Sequence, residues 1–108
     1  MGDALKRLKE FSEAVQDSVG YNLCKVQEGL MPKNAKYLTG FKPAVMELVV
    51  DYDKNTYRVI YTVKLGEAIY VLHCFQKKST QGIKTPKHEV DLIQQRLKEA
   101  EIVSRHGG

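Results

Sequence analysis

The chain has 108 residues, 43% hydrophobic and 28% charged, with 17 basic and 13 acidic side chains and a net charge of +4. This composition describes one globular domain over residues 1–108 and excludes a disordered chain; the basic balance favours an anionic or acidic partner. No apolar run approaches the roughly 18 residues of a membrane span and the N-terminus lacks the apolar core of a signal peptide, so the chain is read as cytoplasmic, without membrane contact.

Leu5, Leu8 and Phe11 recur at helical spacing among charged residues and predict a short amphipathic helix over residues 3–11. A second helix is expected from about Glu13, with Val15, Val19, Leu23, Val26 and Leu30 on one stripe and Gly29 as its stop, giving a helical hairpin. Residues 29–43 hold two glycines and two prolines without a period and read as a connecting loop that carries Lys33, Lys36 and Lys42 and no acid after its start. Three runs rich in valine, isoleucine and tyrosine follow at 44–52, 56–64 and 68–76. The turns between them are too short for crossover helices, so the runs form an antiparallel meander. After the basic segment KKSTQGIKTPKH, Thr85-Pro86 reads as a cap and first turn, and Val90, Ile93, Leu97 and Ala100 mark a final amphipathic helix. Cys24 and Cys74 both sit in apolar patterns and are expected as buried, reduced thiols, too few for a disulfide framework or a zinc site.

Register decides which side chains share a face. With even-numbered loops, Lys64 pairs with Glu67 and Arg58 stands opposite His73, while Asp51 stands opposite Arg58 from the other side. That face also carries Glu47, Val49, Ile60, Thr62, Val71 and Phe75. The opposite face, with Met46, Leu48, Val50, Tyr57, Val59, Tyr61, Val63, Tyr70, Leu72 and Cys74, is the core side, covered by the helices and leaving the Arg58/His73 face open. A slip of one residue in the second hairpin would instead pair Arg58 with Cys74 and push His73 toward the core.

Between Glu67 and Glu89 there is no carboxylate, whereas His73, Lys77, Lys78, Lys84, Lys87 and His88 all fall there. Such a segment either holds a phosphate backbone or is a solvated basic loop. Arg58, in mid-strand, either snorkels to solvent, pairs with Asp51 or faces a ligand. His73 is either a satisfied core histidine or a proton-transfer group. RNA cleavage through the adjoining ribose 2′-OH needs only cations for the phosphate, a base and an acid, which an arginine, a histidine and several lysines supply. No metal-ligand cluster, paired catalytic carboxylates, glycine-rich phosphate loop or G-x-S-x-G motif is present in the sequence.

The stretches GYNLCKVQEGL (20–30), YRVIY (57–61), YVLHCFQKKS (70–79) and KTPKHEVDLIQQRLKEA (84–100) resemble the phage-derived branch of the HigB/RelE/ParE toxins of type II toxin–antitoxin systems. The resemblance implies an α+β, RelE-like fold: an N-terminal helical hairpin, a three- to four-stranded antiparallel sheet and a C-terminal helix. It also implies ribosome-dependent mRNA cleavage (an mRNA interferase that inhibits translation), no cofactor, no metal, and neutralisation by a helix-turn-helix antitoxin. Carried over by motif, Arg58, His73, Lys77 and Lys78 become the catalytic set, with Lys77 and Lys78 as substitutes for His73 in proton transfer. Lys84, Thr85, Lys87 and His88 fall to contacts with messenger and ribosomal RNA. Two departures stand out: many relatives open with a strand where this chain starts at Met1-Gly2-Asp3, and many carry arginine where Val49 stands. The competing readings are a ParE-like poison of DNA gyrase and a decayed module that only binds its antitoxin.

Overall fold

The computed structural model describes residues 4–38, 40–41, 44–62, 65, 68–78 and 87–105, the side chains of Lys77 and Lys78 excepted. Helix α1 (Ala4–Lys9) and helix α2 (Glu13–Gln27) form the expected pair. Ser12 caps α2 by accepting the Val15 amide at 3.4 Å, which satisfies one of the donors a helix start leaves unpaired. Val15 and Val19 are buried and Leu23 and Val26 pack against the same core, as their spacing predicts. Gly29, at φ +88°, ends the helix in the left-handed region that glycine enters without steric cost. Leu5 and Leu30 miss the core and are exposed; in α1 the buried position is Ala4 instead.

The segment expected as a plain loop contains a strand, β1 (Ala35–Leu38), which pairs antiparallel with β2 (Val45–Tyr52). It is a short edge strand, fixed at its start by the Asn34 side-chain amide donating to the Val49 carbonyl at 2.6 Å. β2 continues into β3 (Asn55–Thr62) and β4 (Val71–Lys78), giving one four-stranded antiparallel sheet in the order β1-β2-β3-β4. Helix α3 (Lys87–Arg105) closes the chain, so the α+β architecture is as expected, with four strands.

Both hairpins are shifted in register from the expected pairing. The β2–β3 turn is the two-residue loop Asp53-Lys54, both at positive φ, with Tyr52 paired to Asn55. Arg58 therefore stands opposite Val49, not Asp51, and Asp51 instead pairs with Thr56, whose hydroxyl donates to its carboxylate at 2.9 Å. On the other side Arg58 stands opposite Phe75, and His73 opposite Ile60. Each shift is by two residues, so side chains keep their face while exchanging partners. A bulge between Ile60 and Tyr61 breaks this rule locally: Tyr61 pairs with Val71, and Leu72 is left over. Val71 consequently packs with the α1/α2 core and Leu72 with the α3 core, the reverse of simple alternation.

The expected open face is the main correction. Helices α1 and α2 cover Met46, Leu48, Val50, Tyr57, Val59, Tyr61 and Cys74, as foreseen. The Arg58/His73 face is covered as well: Ile93, Leu97 and Ala100 of α3 pack on Val45, Ile60, Leu72 and Phe75. An amphipathic helix of this length needs an apolar surface of its own, and Val45, Ile60 and Phe75 provide it. The strands are apolar on both sides over most of their length, the pattern of a sheet buried on two faces. Cys74 is buried as expected, whereas Cys24 lies on the exposed side of α2. No helix among the described residues is long and apolar enough to cross a membrane.

Candidate functional site

Arg58 projects from the middle of β3, with 11% of its side chain exposed. Its Nη1 lies 2.7 Å from Oε1 of Glu47, a carboxylate only 1% exposed that comes from the neighbouring strand β2. The contact is a close ion pair without hydrogen-bond alignment, since neither Glu47 oxygen nor the Arg58 Nε has a hydrogen-bond partner among the described residues. Lys36 of β1, directly opposite Glu47, approaches the same oxygen at 3.6 Å from the solvent side. Three strands thus contribute one charged residue each, and in the pair at the centre the carboxylate is withdrawn from water while the arginine keeps a small exposed part. A buried ion pair with unsatisfied atoms is costly unless something else completes it.

His73 lies one step along the face, fully buried in β4. Its Nε2 is hydrogen-bonded to Oε2 of Glu89, from the first turn of α3. Arg96, two turns further along that helix, approaches His73 Nδ1 at 3.1 Å and donates from the same Nη1 to the Leu72 carbonyl at 2.9 Å. Because an arginine only donates, Nδ1 is the acceptor and the proton sits on Nε2, which fixes the neutral tautomer. Burial pushes the imidazole below its ordinary value of 6.5; the Glu89 hydrogen bond and charge pull it up, and the Arg96 and Arg7 charges push it down again. Phe75 stacks on the ring, with centroids 5.3 Å apart. His73 is thus a satisfied core histidine in geometry, connected to the surface through Glu89.

The surface end of that connection is His88, 79% exposed, whose Nε2 is 3.1 Å from the second carboxylate oxygen of Glu89. The Glu89 carboxylate is shared between one buried and one solvated imidazole.

With this geometry in hand, one family description fits: "Phage derived protein Gp49-like (DUF891)" matches residues 6–98. The chain belongs to the phage-derived Gp49-like family. No curated protein and no solved structure matches the chain. The match runs from α1 through most of α3, so Glu47, Arg58, His73, Glu89 and Arg96 all lie inside the Gp49-like domain.

Of the site residues expected from sequence, the Gp49-like fold places Arg58 and His73 on neighbouring strands and on one sheet face, but does not pair them. Lys77 and Lys78 end β4, where their backbones pair with Thr56 and Asn55, two and three residues from Arg58 along β3. Lys87 and His88 open α3 and are exposed. Lys84 and Thr85 lie outside the described residues. Among the described residues no three His, Cys, Asp or Glu side chains gather as a cation site.

Glu47, Glu89 and Arg96 were not among the expected site residues, yet they determine the geometry. Each carries a signal in the sequence. Glu47 interrupts the apolar run AVMELVV. Glu89 and Arg96 fall on the stripe of Ile93 and Ala100, at steps of four, three and four, so both charges sit on the buried face of an amphipathic helix. Charges there need partners, and His73 supplies one for both.

Proposed function

We propose that this Gp49-like chain is the toxin of a type II toxin–antitoxin pair, acting as a metal-independent, ribosome-dependent mRNA endoribonuclease that stops translation. Membership of a phage-derived family typical of such toxins supports the toxin role. The observation that carries the nuclease reading is Arg58: a guanidinium held on the sheet, partly open to solvent, close along the ladder to the basic end of β4.

The chemistry asked of the site is modest. The ribose 2′-oxygen attacks the adjoining phosphorus as its proton is removed, and the bond to the 5′-oxygen breaks as that oxygen is protonated, leaving a 2′,3′-cyclic phosphate and a 5′-hydroxyl. Arg58, with Lys77 and Lys78, stabilises the charge that builds on the phosphate. Both nitrogens of His73 are engaged inside the protein, so proton transfer passes to the lysines, and His73 acts at one remove by holding Glu89 and with it the start of α3. Lys84, Thr85, Lys87 and His88 meet messenger and ribosomal RNA. The partner that silences the activity is a helix-turn-helix antitoxin.

Induced expression in a bacterial host, with growth followed and messenger ends mapped, tests the proposal. Growth arrest with cuts inside translated codons is the expected result. Arrest with intact messages would move the assignment to a gyrase poison, and unimpaired growth to a module that binds an antitoxin without cutting.

A further inference from the structure

Arginine meets a phosphate through N–H groups held in a rigid planar fork, so the nitrogens already engaged or buried decide which of them can reach a ligand. In Arg58 Nη1 is engaged, by Glu47 at 2.7 Å. Nε is buried without a partner among the described residues, which leaves Nη2 as the nitrogen turned to a ligand. Glu47 itself has no other evident purpose: it is 1% exposed, has no hydrogen-bond partner for either oxygen, and stands in a strand whose neighbours are apolar. If stability alone governed this position, an apolar residue there would avoid burying a charge, so the carboxylate calls for another account.

We infer that Glu47 is the positioning residue for Arg58: its buried carboxylate anchors Nη1 and turns Nη2 toward the scissile phosphodiester. Lys36, at 3.6 Å from the same carboxylate oxygen, reinforces the anchor from the outside and lowers the cost of burying it. Val49, directly opposite Arg58, contributes no charge, so the orientation of that guanidinium depends on Glu47. This rests on the nuclease reading for its activity arm, but the orientation itself can be observed without turnover.

The test compares Glu47→Gln, Glu47→Ala and Arg58→Ala in the full chain. With ribosomes and messenger, Glu47→Gln should lower kcat by about tenfold or more with little change in KM, since a misaligned donor affects the transition state more than ground-state binding. In the Arg58→Ala background the Glu47→Gln change should have no further effect, because it acts only through that arginine. A folded Glu47→Gln chain with wild-type kcat, or losses that multiply fully in the double variant, would overturn the inference. The second arm reads the Arg58 Nε–H resonance by 15N NMR while adding a 2′-O-methyl RNA hexanucleotide, which cannot be cut. The wild-type resonance should shift on binding, and in Glu47→Gln it should broaden and lose that shift. An unchanged response in Glu47→Gln refutes the positioning role, whereas a wild-type shift without any cleavage on ribosomes refutes the nuclease reading and leaves the Glu47 assignment standing.

Discussion

His73 on β4 and Glu89 in the first turn of α3 form a hydrogen-bonded pair, Nε2 to Oε2, that ties the start of the last helix to the sheet. Glu89 follows directly on the exposed Lys87 and His88, so the pair sets where the start of α3 sits on the sheet. Removing the acceptor leaves the imidazole N–H buried and unpaired, which costs about 1–3 kcal/mol. Glu89→Ala should therefore lower the thermal midpoint by roughly 4–20 °C in a domain of this size. Glu89→Gln, which keeps an acceptor, should lose less. Thermal denaturation followed by circular dichroism measures both, and a Glu89→Ala midpoint equal to wild type would show that the pair does not anchor the helix.

The same pair makes stability depend on pH. Burial holds the His73 imidazole below its ordinary value of 6.5, with the Arg96 and Arg7 charges acting in the same sense and Glu89 opposing them. A group whose folded value is depressed binds fewer protons in the native state than in the unfolded one, so stability rises with pH. The contribution is complete above about pH 6.5 and is lost as pH falls from there through the folded value. Melting curves between pH 8 and pH 5 should show a falling midpoint in the wild type and a shallower fall in His73→Gln, which has no titrating group there. Parallel slopes in the two proteins would place the pH dependence elsewhere.

A third expectation concerns the β2–β3 turn. Asp53 and Lys54 have φ of 50° and 67°, the left-handed region in which a side chain costs roughly 1–2 kcal/mol and glycine almost nothing. Aspartate tolerates this conformation better than lysine does. Lys54→Gly produces the Asp-Gly pair favoured in such two-residue turns and should stabilise the protein by about 1 kcal/mol, less the entropy glycine adds to the unfolded chain. Chemical denaturation would detect this as a higher midpoint at unchanged m-value. A lower midpoint would mean that the lysine side chain makes a contact worth more than the backbone strain.

Much of this fold is legible from local patterns, and the failures have physical causes. The stripe of Val15, Val19, Leu23 and Val26, the stop at Gly29 and the stripe of Ile93, Leu97 and Ala100 lead directly to α2 and α3, because helical spacing and end signals are local. Strand β1 is hidden because Ala-Lys-Tyr-Leu has little β character of its own and gains its ladder from β2. The exact partners of Arg58 and His73 depend on turn geometry at Asp53-Lys54 and on the bulge at Leu72, neither of which period-two alternation contains. The burial of His73 depends on α3 covering its face, and the clue was Arg96 and Glu89 on the apolar side of that helix: two charges so placed require a polar group beneath them, and His73 is that group.

In the proposed nuclease the residue on which cleavage depends most directly is Arg58. Its loss removes a guanidinium from a site where Val49 stands opposite and offers no replacement, so nothing in that strand pair takes over. Arg58→Ala should reduce messenger cleavage by about 100-fold or more, the usual scale for a preorganised donor to a developing oxyanion, and should relieve growth arrest on induction. Stability needs a separate reading, because the change also strands the Glu47 carboxylate in the protein interior. Arg58→Lys keeps the charge and a partner for Glu47 while losing the rigid fork that holds a second N–H toward the phosphate. It should therefore remain folded by circular dichroism and still cleave poorly. Full toxicity in a folded Arg58→Lys chain would mean that charge at this point suffices, and full toxicity in Arg58→Ala would remove Arg58 from the site altogether, shifting the search to Lys77 and Lys78 at the end of β4.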